Sequence, residues 1–305
     1  MHDPHFPEEP AWRETLKRIS TIRELDDYST ANVDFIAECL ESLDDRVRGG
    51  AALAAEGCLF ERYILDSILQ IAEYDVSDAV RKAAIQSLEA AVDEGVNQGF
   101  ENEEDFDTEL RDMEEWDDFQ MESLQEDYRR VKNLLLGILQ NEDEILEIKE
   151  VTLKALSGLG FKSYVRDWIE DFFLSDKKSS RLTAVLSMGK YPGNWEKQLC
   201  ETISPETEKS LLMEAISASF LSESQLIAER VEQVLQRSGE DADLISYALY
   251  TLANINRTEN LAEILQKFST HPNERVSGAA KAAIELYTKK SFNDYLEDEL
   301  GMEDI

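Results

Sequence analysis

At 305 residues with 42% apolar side chains, the chain is long enough for two ordinary domains or one elongated repeat array, and too apolar for a disordered tail. Its 65 acids against 31 bases leave a net charge of -34, which repels phosphate backbones and anionic headgroups and so argues against direct binding of nucleic acid or membrane. The three cysteines, Cys39, Cys58 and Cys200, form no CxxC and no close pair, so they suggest neither a disulfide framework nor a thiolate metal site and suit a reducing cytoplasm.

From the N-terminus, MHDPHFPEEPAW lacks the charged-then-apolar pattern of a secretion signal, and no apolar run approaches the roughly 20 residues of a membrane span, so a cytoplasmic location is expected. Trp12, Leu16 and Ile19 predict a capping helix within a 1–30 terminal segment. With six Pro and 13 Gly in the whole chain, long stretches are free to be helical, and the fold class expected is all-α.

One phrase then recurs: DDRVRGGAALAAEG around Val47, VSDAVRKAAIQSLEAA around Val80 and NERVSGAAKAAIEL around Val276. Each opens on a residue suited to capping and continues with small residues at helical spacing. Degenerate copies fall at Ile148, Ser180, Glu208 and Leu244, so the steps are 33, 68, 32, 28, 36 and 32 residues. A second amphipathic segment precedes every copy: Val33, Ile36, Leu40; Ile64, Ile68, Leu69; Leu124, Tyr128, Val131, Leu135, Ile138; Val165, Trp168, Ile169, Phe172; Trp195, Leu199; Leu226, Val231, Val234, Leu235; and Leu261, Ile264, Leu265, Phe268. All step by three or four, as a helix with one buried face requires. These make about seven helix pairs over 31–290, and stacking them into an α-solenoid buries the stripes that single pairs leave exposed. Ala51, Ala52, Ala84, Ala184, Ala248 and Ala280 are expected to let neighbouring helices approach closely.

An acidic turn followed by Val-Arg and an Ala-rich helix, clearest at Asp44, Asp45, Val47, Arg48 and at Asp78, Val80, Arg81, resembles the HEAT-repeat family, including its short bacterial phycobilisome-lyase-like branch. The resemblance covers most of residues 30–290. It implies a ladder of Asp–Arg hydrogen bonds along the turns, which carries over to Asp45, Arg48, Asp78, Arg81, Asp143, Lys149, Asp176 and Arg181. At Glu208, Leu244 and Ser277 the pattern departs, with no basic residue at the expected place.

The 68-residue step, between the second and third pairs, contains an acidic insertion at about 94–122. From Asp93 to Asp127 there are 16 acids and one base, Arg111. Phe106, Leu110, Met113 and Trp116 recur at helical spacing within it. One reading is a short helix packed on the solenoid edge with its acids in water. The other makes Phe106, Leu110, Met113, Glu114, Glu115, Trp116, Asp117 and Asp118 a partner-binding element, apolar groups entering a groove and carboxylates meeting a basic rim. At the far end, residues 291–305, with Phe292, Tyr295, Leu296 and Leu300, predict an acidic cap over the last repeat.

Chemistry is sparse. Of the three histidines, His2 and His5 lie near the terminus and His271 adjoins Pro272, so no Ser-His or Cys-His arrangement has a base. There is no phosphate-binding glycine loop, and a calcium loop begun at Asp105 has Leu110 where Gly is needed and Trp116 where Glu is needed. No His-Glu pair occurs, unlike the iron-binding HEAT enzymes. No cofactor, metal or catalytic residue is expected. The reading is a non-catalytic scaffold or adaptor that binds a basic protein partner. Its alternatives are a nucleic-acid-mimicking inhibitor of the immunity type and a lyase-like or chaperone accessory protein.

Overall fold

Segments of ten to fifteen residues that bury only one stripe must find partners for it, and here they do so by pairing and stacking. The computed structural model describes residues 11–101, 115–239, 241–256 and 260–300, and their side chains except at 115–120 and 291–300. The described residues are helical with no strand, and they divide into two compact units, Met1–Leu159 and Gly160–Ile305.

The first unit holds α1 (Ala11–Leu25), α2 (Thr30–Leu40), α3 (Asp45–Ala54), α4 (Arg62–Tyr74), α5 (Asp78–Asn97), α6 (Glu115–Gln140) and α7 (Leu146–Ala155). The pairs are α2/α3, α4/α5 and α6/α7; α3, α5 and α7 stack as one layer, α2, α4 and α6 as the other, and α1 packs on α3. The second unit repeats the plan with α8 (Ser163–Phe173), α9 (Lys178–Met188), α10 (Glu196–Thr202), α11 (Lys209–Ala218), α12 (Gln225–Arg237), α13 (Ala242–Ile255), α14 (Leu261–Ser269) and α15 (Glu274–Leu300). Its pairs are α8/α9, α10/α11, α12/α13 and α14/α15, with α9, α11, α13 and α15 in sequential contact. Both units are therefore α-solenoid segments, seven helix pairs in all among the described residues.

Local chemistry explains the helix starts. Asp44 accepts from the Arg46 amide at 3.0 Å, Asp241 from the Leu244 amide at 3.2 Å, and Asn273 from the Arg275 amide at 2.9 Å, each satisfying an amide that the helix leaves unpaired. The six alanines expected between helices are all fully buried. Ile36, Ile64, Ile68, Leu135, Val165, Leu199, Val231 and Leu265 fill the core from the first helices. Leu124 and Leu226 are exceptions to the expected stripes, exposed by 44% and 45%. Both lie in the N-terminal part of their helix, short of the layer that covers the later turns.

The doubled repeat step is taken up by length. Helix α5 has 20 residues and α6 has 26, against ten in α3 and ten in α7. At about 1.5 Å per residue, α5 runs roughly 15 Å farther than α3. The expected boundary at 290 falls inside α15, which continues unbroken to Leu300.

Candidate functional site

Where α5 and α6 outrun their neighbours, they enclose a cleft against α4 and the turn that follows α3. Its volume is about 290 Å³. The turn supplies Glu56, Leu59 and Phe60, α4 supplies Leu65, α5 supplies Ala90, Ala91, Glu94 and Gly95, and α6 supplies Leu124, Asp127, Tyr128 and Val131. The lining is mainly apolar, and Phe60 and Leu124 stand open to solvent within it, at 67% and 44% exposure.

The end of the cleft is built by a tight crossing. Gly95 lies against Tyr128 so closely that a Cβ there would sit 2.1 Å from the ring's Cδ2. Beyond it the chain leaves α5 through Gly99, whose φ of 74° is the left-handed conformation that glycine adopts without strain, and the Phe100 amide donates to the Gly95 carbonyl at 3.0 Å. Phe100 then packs on Tyr128 with ring centroids 5.7 Å apart. The Tyr128 hydroxyl donates to buried Glu101 at 2.7 Å, and Lys132 pairs with the same carboxylate. A buried carboxylate needs such partners, so this cluster fixes α6 onto the end of α5.

The rim is negative. Asp127 is offset by Arg130, which lies 3.0 Å away and also reaches Asp66. Glu56 and Glu94 have no cation within ion-pair reach among the described residues; Glu94 accepts only from the Gln98 amide group at 2.7 Å. The site is an apolar pocket that opens between two uncompensated carboxylates.

Of the partner-binding residues expected from sequence, Phe106, Leu110, Met113 and Glu114 lie outside the described residues, as does the 102–114 stretch of the acidic insertion. Glu115, Trp116, Asp117 and Asp118 form the first turn of α6. That same helix carries Leu124, Asp127 and Tyr128 into the cleft. Sequence reading missed the cleft itself and the Glu101–Tyr128–Lys132 cluster.

The ladder of ion pairs uses other carboxylates than those expected. Arg48 donates from Nε and from a terminal nitrogen to Asp75 at 2.8 and 3.0 Å, and Arg81 grips Glu144 with both terminal nitrogens, at 3.1 and 2.5 Å. Asp75 and Glu144 close the turns before α5 and α7, whereas Asp45 and Asp78 are the first residues of their helices. The Arg48 guanidinium holds the Asp75 carboxyl below the usual carboxylate range, as Arg81 does for Glu144. Lys149, in the first turn of α7, adds to the positive field on Glu144. Among the described residues Asp143 and Asp176 form no ion pair, and the buried Nε of Arg181 has no hydrogen-bond partner. At the later repeats of the second unit, those of Glu208, Leu244 and Ser277 where no basic residue stood at the expected place, Lys178 pairs with Glu208, Lys209 with Asp241 and Arg275 with Asp243. Lysines and arginine at helix starts take over the linkage there, on exposed ground.

The remaining chemistry is quiet. His271 stacks on Phe268 and accepts the Asn273 amide at 3.2 Å, the work of a turn residue. Burial raises the thiols of Cys39, Cys58 and Cys200, Cys58 to about 11. Among the described residues no group of three His, Cys, Asp or Glu is placed to hold a metal, and no helix is long and apolar enough to cross a membrane. A second depression, about 330 Å³, lies between α11 and α13 around Phe220, Tyr247 and Tyr250, and is uncharged.

No family model and no curated protein matches the chain. Among solved structures it is similar to the complex of CpcE and CpcF of phycocyanin lyase from Nostoc sp. PCC7120, at 14% identity and a TM-score of 0.49, over 95% of this chain and 99% of that one. The expectation that the chain is not an enzyme does not stand: that complex is named as a phycocyanin lyase, and the likeness carries no activity over to this chain. A fold is a platform that carries catalytic and other sites alike, so a missing histidine base was no ground for exclusion.

Proposed function

We propose that the chain is a protein-binding module for a basic partner, engaged at the cleft of the first unit. The observation that carries this is the apolar cleft opening between the uncompensated carboxylates Glu56 and Glu94. Apolar burial there supplies affinity, and the surrounding negative charge of a chain at -34 steers a positive surface towards it. Aromatic and aliphatic anchors entering a desolvated pocket, ringed by polar groups, are the usual arrangement of an interface centre.

The test is capture from native host lysate at low salt by the immobilised full chain and by its Glu56→Lys/Glu94→Lys variant, followed by mass spectrometry of what is retained. Both residues are exposed, so the fold should tolerate the change. A basic protein is expected on the parent chain alone and is expected to elute as salt approaches about 1 M, where the screening length falls to about 3 Å. Retention at that salt, or equal retention by the variant, would overturn the proposal.

A further inference from the structure

We infer that the group entering this cleft is a lysine side chain of the partner, its stem lying on the apolar floor and its ammonium held at the mouth by Glu56 and Glu94. The inference rests on the protein-binding reading and deepens it. Three observations carry it.

First, the floor is aliphatic, lined by Leu59, Leu65, Ala90 and Val131, which suits an unbranched hydrocarbon stem. The volume equals that of roughly ten waters at about 30 Å³ each, enough for one or two side chains but not for a folded element. Second, the two carboxylates without a cation come from different elements, Glu56 from the turn after α3 and Glu94 from α5. A compact ammonium with three rotatable donors can serve carboxylates on two walls, whereas a planar guanidinium is matched best by one carboxylate met edge-on. Arg48 and Arg81 show that second habit, each gripping a single carboxylate with two nitrogens, whereas Arg130 spans Asp127 and Asp66 with one nitrogen on each. Third, Phe60 and Phe100 line the same cleft, and aromatic faces attract a cation that has given up part of its water. An apolar anchor would use the floor and leave the carboxylates unanswered; a lysine uses both.

The test uses the full chain with methyl-labelled alanine and leucine and three capped tripeptides, Gly-X-Gly, in which X is lysine, norleucine or arginine. Norleucine keeps the unbranched stem without the charge. Nuclear magnetic resonance titration should show the lysine peptide shifting the Ala90, Ala91 and Leu65 methyls, with norleucine about tenfold weaker, the loss expected for a half-exposed ion pair and a cation–π contact. In the Glu56→Gln/Glu94→Gln variant that advantage should vanish while the norleucine response persists, which shows the cleft still formed. Norleucine or arginine binding as well as lysine, or shifts spread over the acidic surface without the cleft methyls, would overturn the inference. If that happens while the lysate still yields a salt-sensitive basic protein, the binding reading stands and only the lysine assignment falls. If the lysine peptide enters the cleft and no basic protein is captured, the protein-binding reading falls while the chemistry of the cleft stands.

Discussion

Replacing Gly95 by alanine tests the crossing on which the cleft depends. A methyl at this position would lie 2.1, 2.4 and 2.7 Å from three carbons of the Tyr128 ring, so the ring must swing away or α6 must move. Tyr128 is buried, and its hydroxyl is a partner of buried Glu101, so neither motion is free. Overpacking of this kind costs about 1–3 kcal/mol, and the helix-propensity gain of alanine over glycine returns only about 1 kcal/mol. A net loss of up to about 2 kcal/mol is expected, with a weaker Phe100–Tyr128 contact and a wider cleft mouth. The control is Gly137→Ala in α6, where the added methyl meets nothing within 4 Å. There the propensity term stands alone and stabilises by about 0.5–1 kcal/mol. Urea denaturation followed by far-ultraviolet circular dichroism would read both. If Gly95→Ala matches or exceeds the parent in midpoint, the tight crossing is not what holds α6 on α5.

The ladder gives two contrasting expectations. Arg81→Met leaves the part-buried Glu144 without its cation and should cost about 2 kcal/mol, whereas Lys209→Met in the exposed second-unit linkage should cost less than about 1 kcal/mol; similar midpoints for the two variants would refute the distinction. The folded carboxyls of Asp75 and Glu144 lie below their ordinary values of 3.8 and 4.5, so their contribution is present above those values and is lost as pH falls through the lowered ones. An acid titration of stability should therefore steepen below that range, and Arg48→Met/Arg81→Met should flatten it; an unchanged profile would remove the linkage. Cys58, pushed up to about 11 and fully buried, should resist alkylation at mildly alkaline pH until denaturant is added, which mass spectrometry of the labelled peptide can follow. Labelling in the native protein at the rate of a free thiol would contradict its burial.

The helix pairs were readable because period and stripe spacing are local properties. Val33 and Ile36, or Val231 and Val234, declare a buried face without reference to anything distant. The ladder was half readable for the same reason. Arg48 and Arg81 stand at a fixed place in the repeat, but their carboxylates, Asp75 and Glu144, close the turns before the next second-layer helix and follow no equally regular spacing. The cleft was not readable at all. Glu101 is one of 16 acids in a run, and nothing in sequence separates it from those that face water; only its placement beneath Tyr128 and Lys132 does. Leu124 misled in the opposite direction, since its spacing marks a buried stripe and its position on the overhanging end of α6 leaves it in solvent.

The overhang links these points. In a regular stack each layer covers the next, and apolar surface is left where the regularity fails. Here it fails at the doubled step, where α5 and α6 exceed the repeat length and the nearest helices are too short to cover them. The extra turns need a partner to remain helical and obtain one through Gly95 against Tyr128, yet that contact closes only one end of the new surface. What is left is the cleft, lined on one side by an exposed phenylalanine and bordered by Glu56 and Glu94, which no cation among the described residues reaches. Like charges gathered around an apolar surface cost stability and discourage self-association through that surface. The same arrangement favours a positively charged occupant, which is why the charge of the chain and the irregularity of its repeat point to one place.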